Sequence, residues 1–327
     1  MLCIWLSTQE PQRNLATEEY LVKNFTEDIF MLWQNAPSII IGKHQNALSE
    51  INIEYVNEHN INVVRRMTGG GAVFHDLGNL NFTFIKNINK NDKTVDFKPY
   101  IDSVIYALAK LEVEAKFEGR NDITIDGKKI SGNAMAFHDN RVLSHGTLLF
   151  STIMSDLSNA LKVDQEKFND KAVKSVRSRV TNISEHLKTP MTVLEFKDKI
   201  MESIVEQAGD YSFYQFTSDD LIHIDRLEKE KYRTWEWNFG KSPQYNFSKK
   251  ARTLGGTIEV MLNVIDGVME KVHFYGDFFT QRNIDELESQ LIGKKHDKDL
   301  LNAFFDAIPL SEYFNNVDKK SLISLFF

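Results

Sequence analysis

A chain of 327 residues, 42% hydrophobic and 26% charged, is long enough to bury a core and to divide into two domains. Its net charge of −7 argues against general nucleic-acid binding, no stretch approaches the ~18 apolar residues of a membrane span, and the start lacks the basic and long apolar regions of a secretory signal, so a soluble cytoplasmic protein is expected. The lone cysteine, Cys3, rules out an internal disulfide or a Cys-rich zinc site, and its setting in LCIWL reads as a buried structural thiol rather than a nucleophile.

Short apolar runs alternate with amphipathic stretches from Met1 to about Phe150, an α/β or α+β pattern. Strands are predicted at Leu2–Leu6, Ile29–Trp33, Ser38–Gly42, Asn62–Arg66, Asn81–Ile85, Ile123–Ile125, Lys129–Ala134 and Leu143–Phe150. Helices are predicted at Asn14–Asn24, Ile53–His59, Tyr100–Leu111, Ser155–Leu161, Val193–Glu206 and Ser218–Tyr232, the first of them with Asn14 as its N-cap. Near Trp235–Tyr245 the composition shifts to aromatics with Gly and Pro, as a connection between domains would. Beyond it, Gly255-Gly256 precedes the alternating run Thr257–Val264, and Gly267 leads into Val268–Tyr275. That is a hairpin-like unit, followed by helical stretches at Asn283–Ile292 and Lys298–Phe305. The expected division is 1–242 and 243–327, the second part a small α/β accessory domain.

The densest signal is the run from Arg65 to Asn79, RRMTGGGAVFHDLGN, which lies between two strands. Three successive glycines allow backbone N–H groups to approach a bound anion, and Arg65 and Arg66 add permanent positive charge in a forked geometry. Two familiar phosphate loops fail here: Gly71 is followed by Ala72 and Val73 rather than Lys-Ser/Thr, and the sixth position of a dinucleotide fingerprint is Phe74. A second constellation, Gly119 to Ala134, holds Asp126-Gly127 between alternating runs, the preference of a two-residue type I′ hairpin. That register places Thr124 opposite Lys129, Ile123 opposite Ile130 and Asp122 opposite Ser131. Ile123, Ile125 and Ile130 then face the core, while Asp122, Thr124, Lys129 and Ser131 share a polar face. Asp122 and Lys129 become diagonal neighbours, either a surface ion pair or a functional acid–base pair. A third stretch, Lys174 to Asn182, is a basic loop or a solvated charge run. The nine histidines form no HExxH and no close pair, which disfavours a structural metal site, though His75 and His145 stand beside glycines.

Together RRMTGGGAVFHDLGN, GRNDITIDGKKISGNA, SHGTLLF and SVRSRVTN, in this order, resemble the lipoate-protein ligase A family of the biotin/lipoate ligase superfamily. The likeness begins at NLATEEYL, continues through PSIIIGKHQN and returns in NFGKSPQYNF. The segment Asn87–Lys98 and the C-terminal tail carry no such likeness. The resemblance implies an α+β fold with a mixed-sheet catalytic domain, and a substrate-binding loop at Arg66, Gly69, Gly70, Gly71, Ala72, Val73 and Phe74, with His75, Asn79 and His145 nearby. It implies a catalytic Lys129, Asn121 and Asp122 near nucleotide and metal, and a loop covering the adenylate at Ser175, Val176 and Arg177. ATP, Mg²⁺ and lipoate or octanoate are the implied small molecules, with Asp122 as the metal ligand. Lipoyl-domain proteins, such as E2 subunits and the glycine cleavage H protein, are the implied acceptors of a monomeric enzyme that binds neither nucleic acid nor membrane. The chemistry asks for such residues: carboxylate and α-phosphate repel each other, and one compact ammonium can bridge them. An apolar slot for the acyl tail would be built from the Leu15–Leu21 helix, Val73 and Phe74. An ATP-independent acyl transferase, a non-catalytic lipoate binder and a biotin ligase are the competing readings.

Overall fold

The computed structural model describes residues 1–45, 47–89, 94–153, 160–161, 180–239, 247–265 and 267–327. Its first elements are β1 (Leu2–Trp5), α1 (Pro11–Asn24), β2 (Ile29–Trp33), β3 (Ser38–Ile41), α2 (Ala47–Glu50), α3 (Ile53–Glu58), β4 (Asn62–Arg65), β5 (Val73–His75) and β6 (Asn79–Asn87). Then come α4 (Lys98–Lys110), β7 (Lys116–Glu118), β8 (Asp122–Ile125), β9 (Lys128–His138) and β10 (Arg141–Leu149). They are followed by α5 (Val193–Ala208), β11 (Ser212–Phe213), α6 (Ser218–Leu227) and α7 (Trp235–Asn238).

A large sheet runs in the order β11-β1-β2-β6-β10-β9-β8-β7. β1 lies parallel to β2 and β11, and every other pairing in it is antiparallel. A second sheet, β4-β3-β5, is also mixed. The fully apolar β2, IFMLW, is explained by burial on both faces. Ile29, Met31 and Trp33 turn toward α1, which is pressed between the sheets by Ile40 and Val64, while Phe30 and Leu32 turn toward α4 and α5.

The expected N-cap at Asn14 is incorrect. Pro11, whose fixed φ and missing N–H suit a first turn, starts the helix one turn earlier, and Glu10 holds the cap position without a side-chain hydrogen bond. The predicted helix Ser218–Tyr232 is α6 followed by a π turn over Glu228–Tyr232. The predicted helix Ser155–Leu161 lies outside the described residues except for Ala160 and Leu161.

The C-terminal part is an antiparallel meander of β12 (Phe247–Thr253), β13 (Gly256–Ile265) and β14 (Val268–Gly276). α8 (Ile284–Leu291), α9 (Lys298–Asp306), α10 (Leu310–Tyr313) and α11 (Lys319–Ser324) supply the rest of its core. Its edge strand β12, FSKKART, has no clean apolar alternation and was not among the predicted strands, a composition that also discourages pairing with another chain.

Candidate active site

A cavity of about 390 Å³ opens between the two sheets and the C-terminal meander. Its inner wall is carried by α1, β2, β5 and β6 through Leu15, Trp33, Val73, His75 and Asn81. Its rim is carried by the β8–β9 hairpin and by residues from Arg252 to Asp277.

The glycine loop is held from behind. Arg66 is buried, and its guanidinium donates to Thr68 Oγ1 (2.8 Å), Ile40 O (3.1 Å), Gly69 O (2.7 Å) and Gly71 O (2.8 Å). Four of the five N–H groups of an arginine are thus spent within the protein, three of them on the loop itself and one on β3. Burial pulls this guanidinium down to about 10, with Glu18 opposing the shift and Arg65 adding to it. Arg65 donates to Gly42 O, Lys43 O and Gln45 O and, on the other side, to Trp237 O and Asn238 O, so it fastens β4 to the preceding turn and to α7. Gly70 has φ +90, and a side chain there would meet Arg66 and the Phe279 ring.

Behind Arg66 runs a buried polar chain with no single-stretch signature. Thr68 Oγ1 contacts His145 Nε2 (2.9 Å), and His145 Nδ1 contacts Glu18 Oε1 (2.9 Å). Glu18 Oε1 also accepts from Thr83 Oγ1 (2.6 Å), whose oxygen accepts from Trp33 Nε1 (2.9 Å). His145 Nδ1 therefore donates to the carboxylate, and the Thr68 hydroxyl, already accepting from Arg66, donates to Nε2. The chain ends on a cation and an anion, so neither charge is buried uncompensated. Glu18 was not among the sequence candidates. NLATEEYL shows only helical spacing, and the partner His145 lies 127 positions away.

At the rim, Lys129 Nζ lies 2.7 Å from Asp122 Oδ1, with the two side chains 38% and 36% exposed. Asp126 (φ 49) and Gly127 (φ 72) form the expected type I′ turn, and Thr124 pairs with Lys129 as predicted. The register then departs from expectation: a bulge sets Ile123 opposite Ser131 and Asp122 opposite Gly132. One inserted residue reverses which side chains share a face. Ser131 is turned inward and buried, and Gly132 comes under Lys129, where a methyl group would sit 2.9 Å from Nζ. The glycine leaves the ammonium room to lie back toward Asp122. The Lys129 carbonyl accepts from Thr181 N (3.1 Å), so the chain that resumes at Val180 is fixed beside it.

The C-terminal part reaches the rim through Arg120, which donates to Gly255 O and to Asp277 O (3.1 Å) and lies 4.7 Å from the Phe279 ring centroid. Phe279 packs into the large core beside Phe97, whereas its neighbour Phe278 belongs to the C-terminal core.

Of the sequence candidates, Arg66, Gly70, Gly71, Ala72, Val73, His75, Asn121, Asp122, Lys129 and His145 line the cavity. Gly69, Phe74 and Asn79 are not among its lining residues. Gly69 supplies a carbonyl to Arg66 and backs onto Phe278, and Asn79 is buried with its amide on Asn81. Phe74, opposite in alternation to Val73 and His75, packs with Ile39, Ile41 and Val63, so it builds no acyl slot. Ser175, Val176 and Arg177 lie outside the described residues. The HDLGN tail is a structural turn: Asp76 accepts from Gly78 N and Ile153 N. Among the described residues no group of three His, Cys, Asp or Glu is placed to hold a metal ion.

The family model described as "Lipoyl protein ligase A/B catalytic domain" matches residues 10–205, and that described as "Bacterial lipoate protein ligase C-terminus" matches residues 242–326. The lipoate-protein ligase LplJ of Bacillus subtilis (strain 168) is 42% identical over 322 residues, which span 97% of either chain. The crystal structure of P. falciparum LipL1 in complex with lipoate superposes with a TM-score of 0.79 at 28% identity, covering 99% of this chain and 97% of that one. A lipoate-protein ligase A bound with ATP gives 0.63 at 27% identity, covering 73% of this chain and 98% of its own.

Proposed function

The chain belongs to the lipoyl protein ligase A/B family, and we propose that its cavity joins lipoate to the α-phosphate of ATP, with Lys129 bridging the two anions. The protein is a lipoate-protein ligase, an ATP-dependent enzyme. The observation that carries the assignment of its reacting centre is the Lys129–Asp122 pair at the rim of a cavity whose inner end is buried, with Gly132 clearing the space around the ammonium.

In the first step a carboxylate oxygen attacks the α-phosphorus, the bond to the β-phosphate oxygen breaks and pyrophosphate leaves. Lys129 offers three donors to the incoming carboxylate and the α-phosphate oxygens, and its charge is most effective as negative charge accumulates between them. Asp122 orients the ammonium until the substrates replace it. The glycine loop presents its backbone to the anion, and Arg66 acts by holding that loop rather than by touching the substrate. In the second step an acceptor lysine amine attacks the acyl carbon, AMP departs and the amine gives up a proton. The Leu15, Trp33 and Val73 side chains form the slot for the acyl tail.

Of the cavity carboxylates, Asp277 accepts from Thr257 N, whereas Asp122 has a second oxygen beyond the one on Lys129 and would be the residue to help hold Mg²⁺. When bound, the ion would neutralise phosphate charge. A lipoyl domain as acceptor, a cytoplasmic location and a boundary between 1–242 and 243–327 complete the proposal, the last supported by a C-terminal core distinct from the large one. Cys3, buried on β1 with its thiol pushed up by desolvation, speaks against a thioester route. The test is to incubate the protein with lipoate, ATP and labelled pyrophosphate without acceptor. Label should enter ATP only when lipoate is present, and its failure to do so would overturn the adenylate mechanism.

A further inference from the structure

Two of the residues that fasten the glycine loop stand behind the cavity wall. Glu18 and Thr68 are fully buried and are not among the lining residues, whereas Arg66 and His145, the groups they hold, both are. An aliphatic pair would fill the same space without the cost of burying a carboxylate, so the charge asks for a role beyond cohesion. The role follows from the directions of the hydrogen bonds. Glu18 Oε1 and Oε2 lie 2.9 and 3.1 Å from His145 Nδ1, so an ionised Glu18 keeps the ring proton on that nitrogen. His145 Nε2 is then an acceptor and takes the one hydroxyl proton of Thr68 (2.9 Å), which leaves Thr68 Oγ1 to accept from Arg66 Nε (2.8 Å). With the ring proton on Nε2 instead, Thr68 would face two donors and its own proton would lose its acceptor. Pinned at Nε by Thr68 and at Nη1 by Ile40 O, the planar guanidinium has one orientation, and its Nη2 meets Gly69 O and Gly71 O. Each of these carbonyls shares a planar trans unit with the N–H of the next residue, so the N–H groups of Gly70 and Ala72 point away from Arg66. Gly70 and Ala72 both line the cavity.

We propose that Glu18 and Thr68 are positioning residues for adenylate formation: through His145 and Arg66 they turn the carbonyls of Gly69 and Gly71 away from the cavity and so present loop N–H groups to the phosphate anion. The proposal rests on the reading of this cavity as the adenylation site. Backbone donors stabilise developing charge only while they are held in place, since a loop that must reorient gives up much of the gain. Loss of the Thr68 hydroxyl frees the guanidinium to turn, and loss of the Glu18 charge frees His145 to carry its proton on either nitrogen. Both changes loosen the same loop through the same chain, so their effects do not multiply. Leu15 and Val73, which line the cavity, are no part of that chain, and the apolar wall survives either change.

The experiment measures lipoate-dependent pyrophosphate exchange and calorimetric lipoate binding for the wild type, Thr68→Val, Glu18→Gln, the double variant and Thr68→Ser. Rates are taken per lipoate-binding site, which counts only folded protein. Thr68→Val and Glu18→Gln should each lower kcat by about tenfold while the Kd for lipoate moves by less than about threefold. The double variant should be no slower than the slower single one, and Thr68→Ser, which keeps the hydroxyl, should recover most of the loss. Loss of lipoate binding in both single variants would make the chain a brace for the fold and overturn the proposal; if only Glu18→Gln fails to bind, the two Thr68 variants decide. An unchanged kcat would also overturn it, as would losses that multiply to about a hundredfold in the double variant or a Thr68→Ser no better than Thr68→Val. A wild type that exchanges no label would instead defeat the ligase reading on which the proposal stands.

Discussion

Lys128 and Lys129 are adjacent in sequence, yet only the second lines the cavity, because the turn exposes Lys128 and the bulge clears Gly132 beneath Lys129. Lys129→Ala should lower lipoyl-AMP formation by ~10²–10³ with the fold intact, since the contact strengthens as the phosphorus centre forms. Lys128→Ala should change stability by less than about 0.5 kcal/mol and the rate little. Lys129→Arg should also fail, a planar fork being unable to occupy the place of a compact ammonium. Rates for all three at saturating ATP and lipoate decide the matter, and the reverse ranking would refute the face assignment. His75 supplies a second prediction. Burial, then Arg66 and His145, pull its pKa to about 3, whereas the unfolded chain titrates near its ordinary ~6.5. The folded form thus binds fewer protons below that pH, so this stability is complete above about pH 6.5 and is lost as pH falls toward 3, on the order of 2 kcal/mol by pH 5. Urea unfolding of the wild type and His75→Phe at pH 7.5, 6.5 and 5.5 should show a shallower pH slope in the variant; equal slopes would mean the ring does not titrate in this way.

Elements built from local rules were legible and those set by distant partners were not. The Asp126-Gly127 turn, β2 and α4 followed from turn chemistry and periodicity. The bulge in β9 did not, because it accompanies the burial of Ile130 and Ser131 in the core, which the residues of the turn do not reveal. Asn14 was read as a cap from its type alone; it is instead buried in α1 as an amide bridging Thr8, Gln34 and Asn35. β5, only three residues long, was hidden inside the glycine motif. Of the site, Lys129, Asp122 and the glycine run were legible as motifs. Glu18 and the role of Arg120 depended on contacts 127 and 135 positions apart. Arg120 carries the prediction at this scale. It joins the β7–β8 connection to Gly255 and Asp277, so Arg120→Ala removes two charge-assisted hydrogen bonds worth ~1.5–3 kcal/mol each and the contact with Phe279. Adenylation should fall by roughly tenfold or more, while transfer from supplied lipoyl-AMP changes much less; equal losses in single-turnover assays of the two steps would contradict this.

Across the whole molecule the two cores meet at consecutive phenylalanines, Phe278 in the C-terminal core and Phe279 in the large one. No periodicity in the sequence announces that seam. The same segment covers Gly69 and Gly70, so the C-terminal part finishes the loop that faces the anion without contributing the bridging lysine. Arg252 and Asp277 line the rim, yet the inner wall and Lys129 belong to the first 150 residues. Removal of the chain beyond Tyr245 should therefore harm lipoyl-AMP formation more than transfer of the lipoyl group from lipoyl-AMP supplied ready-made. Forming the anhydride requires two repelling anions to be brought together, whereas the adenylate arrives already joined. Truncation also uncovers Phe97 and the back of the glycine loop, so circular dichroism and a denaturant midpoint must first show that the remaining part is folded. Given a folded remainder, a loss of activation at least about tenfold greater than that of transfer is expected. Equal loss of both steps would mean that the C-terminal part acts on the acceptor or on the reacting groups directly, and that closure of the anion loop is not its contribution.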